Sequence, residues 1–490
     1  MRFFKLICGI LAVIIASFSL SSCGEDYMDA FIYVEFENTA SVLDPQLAET
    51  AEELTVVRSI FDSLLRYDTS GKIVPSAAES FEKKGNTYTF KLKKDAKWVD
   101  GTEVTASDFV FGFRRAVNPE NRAPYASTLS AIKGAEEIMS GNAEPSTLGV
   151  RAADKHTLVI DLQRADPEFE KVLTTAITMP CNEKYFKSCK GKYGLTIDTT
   201  PANGSYYIKE WFTESKFLIR LAKNLDYKGS FEAKSMRIYF TCSENDALAM
   251  LEHDNTDLAY ISVEEYANIS KGGFKIHSIE DTCYALMIKD TVDPDIRKAL
   301  LSTINAGANK NNLLGKQSVA QSFYPEYLKA KDTPKAADKI PYSPEEAAKL
   351  YSDAILGGKT VEGITVKHPA DSVSTNVAKS LAGHWQQKLS CFLNIESASD
   401  TSLRSAYESG YYDIIILPFS SPISTLTAYH SVMGFGGSSA EEVGTKLYDE
   451  YLAYPLYFST TNIAFGAKMQ NSTECIQGGI LDVAMLIKNP

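Results

Sequence analysis

The sequence predicts an α/β protein with more than one core. Apolar and polar residues alternate with the period of a half-buried strand at Tyr88, Phe90 and Leu92, and again at Leu158, Ile160 and Leu162. Val377, Leu381, Trp385 and Leu389 recur at four-residue steps on one helical face. The run DIIIL at 413–417 then suits a strand buried on both sides, so helix and buried strand succeed each other as in an α/β unit. The chain of 490 residues exceeds the roughly 250–300 that one core serves, which predicts two or three domains.

From the start of the chain, Arg2 and Lys5 precede an apolar stretch from Leu6 to Phe18 and small residues before Cys23. This is the order of a secretion signal. The stretch is too short for a spanning helix, which needs about 20 apolar residues. Leu20-Ser21-Ser22-Cys23 resembles a bacterial lipobox, which implies cleavage before Cys23 and a lipid on its sulfur; an ordinary cleaved signal or a buried apolar helix is the plainer alternative. The expectation is a signal peptide at 1–22, a lipid-anchored tether at 23–30 and a globular body from Phe31. Two or three acyl chains hold a protein stably on a bilayer. No later segment is long and apolar enough to span one.

The net charge is −12, and losing Arg2 and Lys5 with the signal leaves 48 basic against 62 acidic residues, or −14. Such acidity argues against a nucleic-acid partner, which needs a basic patch. Of eight cysteines, Cys8 leaves with the signal and Cys23 takes the lipid, so Cys181, Cys189, Cys242, Cys283, Cys391 and Cys475 remain. Only Cys181 and Cys189 are close in sequence, and a bridge and free thiols are both open there. Neither CxxC spacing nor paired histidines mark a metal site; His156, His253, His277, His368, His384 and His430 are dispersed. No nucleophile elbow, Walker loop or HExxH motif occurs, so neither an enzyme nor a cofactor is expected.

Further along, Asp100-Gly101 marks a turn. Thr105 to Asp108 resembles a capping box opening a helix with Phe109, Phe113 and Val117 on one face. Residues 295–304 read as helix. Ser343-Pro344-Glu345-Glu346 reads as a helix start, with Ser343 as cap and Pro344 at the first helical position. Gly434 to Ser439 leads into a helix-like 440–451.

Tyr88, Phe90, Leu92, Ala96, Trp98, Asp100, Gly101, Val104, Thr105, Ala106, Asp108 and Phe109 together resemble the pattern of the oligopeptide- and dipeptide-binding proteins of ABC importers, solute-binding protein family 5. Further matches follow in that family's order: Leu43-Asp44-Pro45, Phe61 to Leu65 with Gly71 to Pro75, and Asn118-Pro119 with Pro124-Tyr125-Ala126. Leu148 to Leu162, Asn203 to Tyr206 with Glu210-Trp211, and Ile296 to Leu300 complete them. The resemblance implies a periplasmic-binding-protein-like clam of two lobes with an additional inserted domain. Lobe I would be discontinuous at 27–55, 174–270 and 455–490, the inserted domain would be 56–173, and the second binding lobe 271–454. It further implies an extracytoplasmic monomer that traps short peptides between closing lobes and delivers them to an ABC permease. The alternatives are another solute (a sugar, opine, amine or metal chelate), or a signalling or adhesion lipoprotein.

The chain departs from the family after the DIIIL strand. The family's peptide receptors often carry a Gly, a Trp and an amine-pairing Asp there, and this chain has Pro418, Phe419, Ser420, Ser421 and Pro422. Losing an acid that pairs a buried ammonium leaves that charge uncompensated. Asp400 and Glu49 are candidates to replace it, against the plainer reading of solvated acids. Tyr125 matches a family tyrosine that faces the cleft, and Asn203 is placed near the crevice. Phe419, Ser420 and Ser421 complete the expected ligand-binding set, while Trp98 is expected to serve packing.

Overall fold

The computed structural model describes residues 31–36, 39–213, 217–228, 235–240, 246–253, 255–269, 274–328, 333–436, 438–470, 476–477 and 480–489. Cys23, the signal and the tether therefore lie outside the described residues, as do Cys242 and Cys475.

The fold is α/β, with two lobes and an additional domain. Among the described residues one sheet of 11 strands runs through the molecule. From one edge its order is Asn394–Ala398, Thr365–Pro369, Ile414–Phe419, Lys275–Ile288 and Ala453–Phe465. It continues through Leu258–Ile261, Phe31–Phe36, Ser235–Phe240, Phe217–Lys223 and Tyr206–Phe212, with Ser318–Val319 paired off this path. The strands Lys275–Ile288 and Ala453–Phe465 are the long central pair, antiparallel to each other. Their ladder slips register between Glu280 and Thr282.

Two large cores hang on this sheet. One draws on residues from Ile32 to Leu258 and from Ile463 to Leu486; the other draws on residues from Cys283 to Phe458. Ile423 and Ala428 of the later segment pack into the first core, so the lobes touch. A separate sheet of four strands, ordered Ala78–Lys84, Thr87–Leu92, Thr157–Asp161 and Val150–Asp154, forms the additional domain with the helix Ala106–Val117.

The strand Thr87–Leu92 buries Tyr88, Phe90 and Leu92 as expected. Thr157–Asp161 does not alternate: Thr157 to Ile160 are all buried. The helix Ser372–Leu389 buries Val377, Leu381, Trp385 and Leu389, and Ile414–Phe419 lies between two strands with Ile414 to Leu417 buried. Pro294–Ser302 and Ala440–Asp449 are helices. The helix Pro344–Leu356 starts at its proline, but Ser343 makes no side-chain cap; its hydroxyl donates to the Pro341 carbonyl instead. Trp98 is buried and meets Phe61 edge to face, a packing role. Cys181, Cys189, Cys283 and Cys391 are all free and buried, which resolves the open pair as thiols.

Asp44 of the LDP segment is buried and gripped by Arg115. Its two oxygens accept from Nη1 at 3.1 Å and Nη2 at 2.5 Å. Arg115 Nη1 also donates to Gln46 Oε1 at 2.6 Å and lies 3.4 Å from Cys181 Sγ. This guanidinium ties the helix Ala106–Val117 to the loop that leads to the cleft.

Candidate functional site

The helix Ala51–Ile60 starts at the cleft. Thr50 caps it, and Glu53 reaches back to the segment before it: one carboxylate oxygen accepts from the Ser41 and Val42 amides, the other from those of Glu49 and Thr50. Four donors on one buried carboxylate fix the loop that carries Glu49. Tyr125 Oη donates to the Glu49 carbonyl at 2.9 Å, which pins the same loop from the additional domain.

These parts converge on a cavity of about 380 Å³. Glu49, Thr50 and Ala51 line it from the helix start, Pro124 and Tyr125 from the additional domain, and Asp281, Thr282 and Thr461 from the long central strands. Arg404, Glu408, Ser420 to Pro422, Ser431 and Val432 close it from the other lobe. Asp400, Arg404 and Glu408 stand at i, i+4, i+8 on the helix Asp400–Ser409. All three line an outer cavity of about 390 Å³, which shares Arg404 and Glu408 with the central one.

Carboxylates dominate the lining. Asp281 is buried beside the register slip of its strand, where Thr282 Oγ1 donates to it at 2.9 Å. Burial pushes its pKa up to about 6, against the pull of hydrogen bonds from Thr461 and Thr282. Desolvation likewise raises Glu49, with Glu53 and Glu408 adding to the effect and Arg404 opposing it. Desolvation and the like charge of Asp371 raise Asp400, again against Arg404. The Arg404 guanidinium donates to the Val432 carbonyl at 3.0 Å and the Pro418 carbonyl at 3.2 Å, and packs 5.6 Å from the Phe419 ring centroid. It is bound to backbone and ring. A lining with three carboxylates and one tethered cation suits a positively charged group on a guest.

The expected site residues divide. Glu49, Tyr125, Ser420 and Ser421 line the central cavity and Asp400 the outer one. The Ser421 hydroxyl is already engaged with Ile423, donating to its carbonyl and accepting from its amide. Phe419 lines neither cavity: it is fully buried, beneath Arg404 and edge-on to Tyr407, on a strand whose two faces are both covered. Asn203 lies at the other end of the helix Ala51–Ile60. Its amide and that of Gly204 donate to the Ile60 carbonyl, and its side chain accepts from Asp62 N. A Cβ at Gly204 would come within 2.8 Å of Ile60 backbone, so this is a tight structural contact.

The sequence reading does not single out Asp281, Arg404 and Glu408, which the structure places in the cavity wall. The spacing of Asp400, Arg404 and Glu408 along one helix face was a usable signal, and so was the acidic pair Glu280-Asp281 within an otherwise strand-like run.

Fold and cleft together define a two-lobed binding protein. The chain belongs to the bacterial extracellular solute-binding proteins, family 5, whose middle-region model matches residues 72–439. It is similar to the periplasmic murein peptide-binding protein MppA of Escherichia coli, 26% identical over 438 residues, covering 84% of this chain and 79% of that one. It is similar also to the dipeptide-binding protein of Lactococcus lactis, 24% identical over 470 residues, covering 90% and 85%. Among solved structures it resembles Haemophilus influenzae OppA in complex with RPPGFSPFR, with a TM-score of 0.79, 21% identity and 94% and 99% of the two chains covered. The chain is thus a binding protein of the extracytoplasmic side and not an enzyme.

Proposed function

We propose that this protein captures short peptides between its lobes and passes them to the membrane subunits of an ABC importer. A lipid on Cys23 holds it at the outer face of the cytoplasmic membrane, and it acts as a monomer. The observation that carries the proposal is the acidic cavity at the meeting of both lobes and the additional domain, with Asp281 buried at its wall and no salt bridge to it among the described residues. Asp281 and Glu49 receive the peptide's ammonium in place of the aspartate that Pro422 displaces. The peptide cargo of the relatives supports this assignment.

A mixed library of di- to tetrapeptides should raise the melting temperature, since a ligand at a hundred times its Kd stabilises by about 2.7 kcal/mol. N-acetylation of the library should remove most of the shift. An unshifted melt with peptides, beside a shift with a sugar or amine pool, would replace the cargo.

A further inference from the structure

A chamber of about 260 Å³ lies apart from the cleft and shares no lining residue with either acidic cavity. The turn at Asp100-Gly101 forms one wall. There Trp98 N donates to the Thr102 carbonyl and Gly101 N to the Trp98 carbonyl, each at 2.8 Å, and Gly101 takes a φ of 86° that favours glycine. The facing wall carries Tyr185 of the helix Glu183–Ser188, Ile197, and Tyr207 of the edge strand Tyr206–Phe212. Val99 N donates to the Ala202 carbonyl at 2.8 Å, which joins the two walls. Three rings thus line one space, and none packs on another among the described residues: Trp98 meets Phe61, and Tyr185 meets Tyr193. Tyr185 is fixed by its hydroxyl, which donates to the Asp198 carbonyl at 2.9 Å. The ionised residue of the lining is Asp100, and among the described residues no lysine or arginine lines the chamber. One Asp100 oxygen accepts from the Thr102 amide at 2.9 Å and the Thr102 hydroxyl at 2.6 Å, which holds the carboxylate at the rim. Burial raises the pKa of the Tyr185 hydroxyl, and Cys189, Asp100 and Asp198 raise it further electrostatically. The mouth is apolar, with Val99 48% and Ile197 37% exposed.

We propose that this chamber is a second binding site, for a small methylated ammonium group of the choline class. The rings of Trp98, Tyr185 and Tyr207 hold the cation, and Asp100 supplies the opposite charge at the rim. Aromatic faces are electronegative and attract a cation within about 6 Å of the ring centre. A methylated ammonium spreads its charge beneath methyl groups, so it gains from the rings and from the apolar mouth together. A hydrated metal ion gains from neither. The site is independent of peptide capture and of lobe closure, because Trp98 and Ile208, one from each wall, belong to the same core. The Trp98-to-Gly101 turn thereby has a role beyond packing.

The test titrates the wild-type protein with choline and with neohexyl alcohol, its uncharged carbon isostere, at constant ionic strength, by calorimetry and ligand-observed NMR. Choline should bind roughly tenfold more tightly than the isostere. Tyr207→Ala and Asp100→Asn should each weaken choline roughly threefold to tenfold. The acidic cleft also attracts cations, so choline affinity unchanged in both variants would assign the binding to the cleft and overturn the proposal. Asp100→Asn keeps the oxygen that accepts from Thr102, and the comparison of the two ligands needs no variant, so a folding defect in Tyr207→Ala would not blunt the test. Equal binding of choline and the isostere, or binding of a neutral sugar in place of choline, would likewise overturn it. Glycerophosphocholine separates the two sources of such a group. Its binding as tightly as choline supports the site as one for a lipid headgroup, and binding of choline alone supports it as one for a free solute.

Discussion

Asp281 combines burial, a cavity-facing position and a raised pKa in one side chain. Its value moves from 3.8 to about 6, so between those pH values the folded protein keeps a proton that the unfolded chain has released. Stability without ligand therefore falls as pH rises through 6. Measured against Asp281→Asn by urea unfolding at pH 4 and pH 7, the wild type should lose up to about 3 kcal/mol more over that interval. Binding of a cationic ligand should show the opposite trend, because only the ionised carboxylate attracts it. Wild-type affinity should rise about tenfold from pH 5 to pH 7, and the Asn variant should lose most of that slope. Glu49, Glu408 and Arg404 share the cavity, so a slope that persists in the variant would assign it to them.

At the scale of elements, the buried pair of Arg115 and Asp44 joins a helix to the loop ahead of the cleft. Asp44→Ala should cost about 3–5 kcal/mol in denaturant unfolding, since it leaves a buried guanidinium uncompensated. Joining Asp44→Leu with Arg115→Met should recover much of that loss, which a purely steric defect would not. The elements themselves were largely readable. Leu381 and Trp385 sit on a periodic face because a helix shows its core-facing residues every turn, and Ile414 to Ile416 are continuous because both faces of their strand are covered. The residues that line the cavity were readable only in part. Glu49 and Tyr125 were visible through motif position, but Asp281 stands at a slip in a strand ladder, and in the sequence only its pairing with Glu280 inside a strand-like run marks it. Phe419 lies outside the cavity lining because a motif position says nothing about which side of a strand faces in, and Asn203 sits at a helix end because a turn residue beside a family motif can equally close one.

At the scale of the whole molecule, two directed contacts supplement the shared sheet and core where the additional domain meets the second lobe. Glu168 of the additional domain accepts from the Leu426 amide, at the first turn of the helix Leu426–Val432, at 3.1 Å. The Ser127 and Ser431 hydroxyls are hydrogen bonded nearby. A carboxylate at a helix start is a favourable pairing that separation of the lobes must break. Glu168→Ala should therefore widen the ligand-free protein in solution scattering and weaken apparent peptide affinity by roughly threefold to tenfold. Unchanged scattering would show that this contact does not hold the lobes together.

The register slip beside Asp281 lies on a strand that both lobes share. Such irregularities concentrate local twist. Rotation of one lobe against the other must then turn the backbone at the point from which this carboxylate projects. Under the proposed function, grip on a guest and its surrender would be one movement: as the jaws part, the acid would swing off the amine it held.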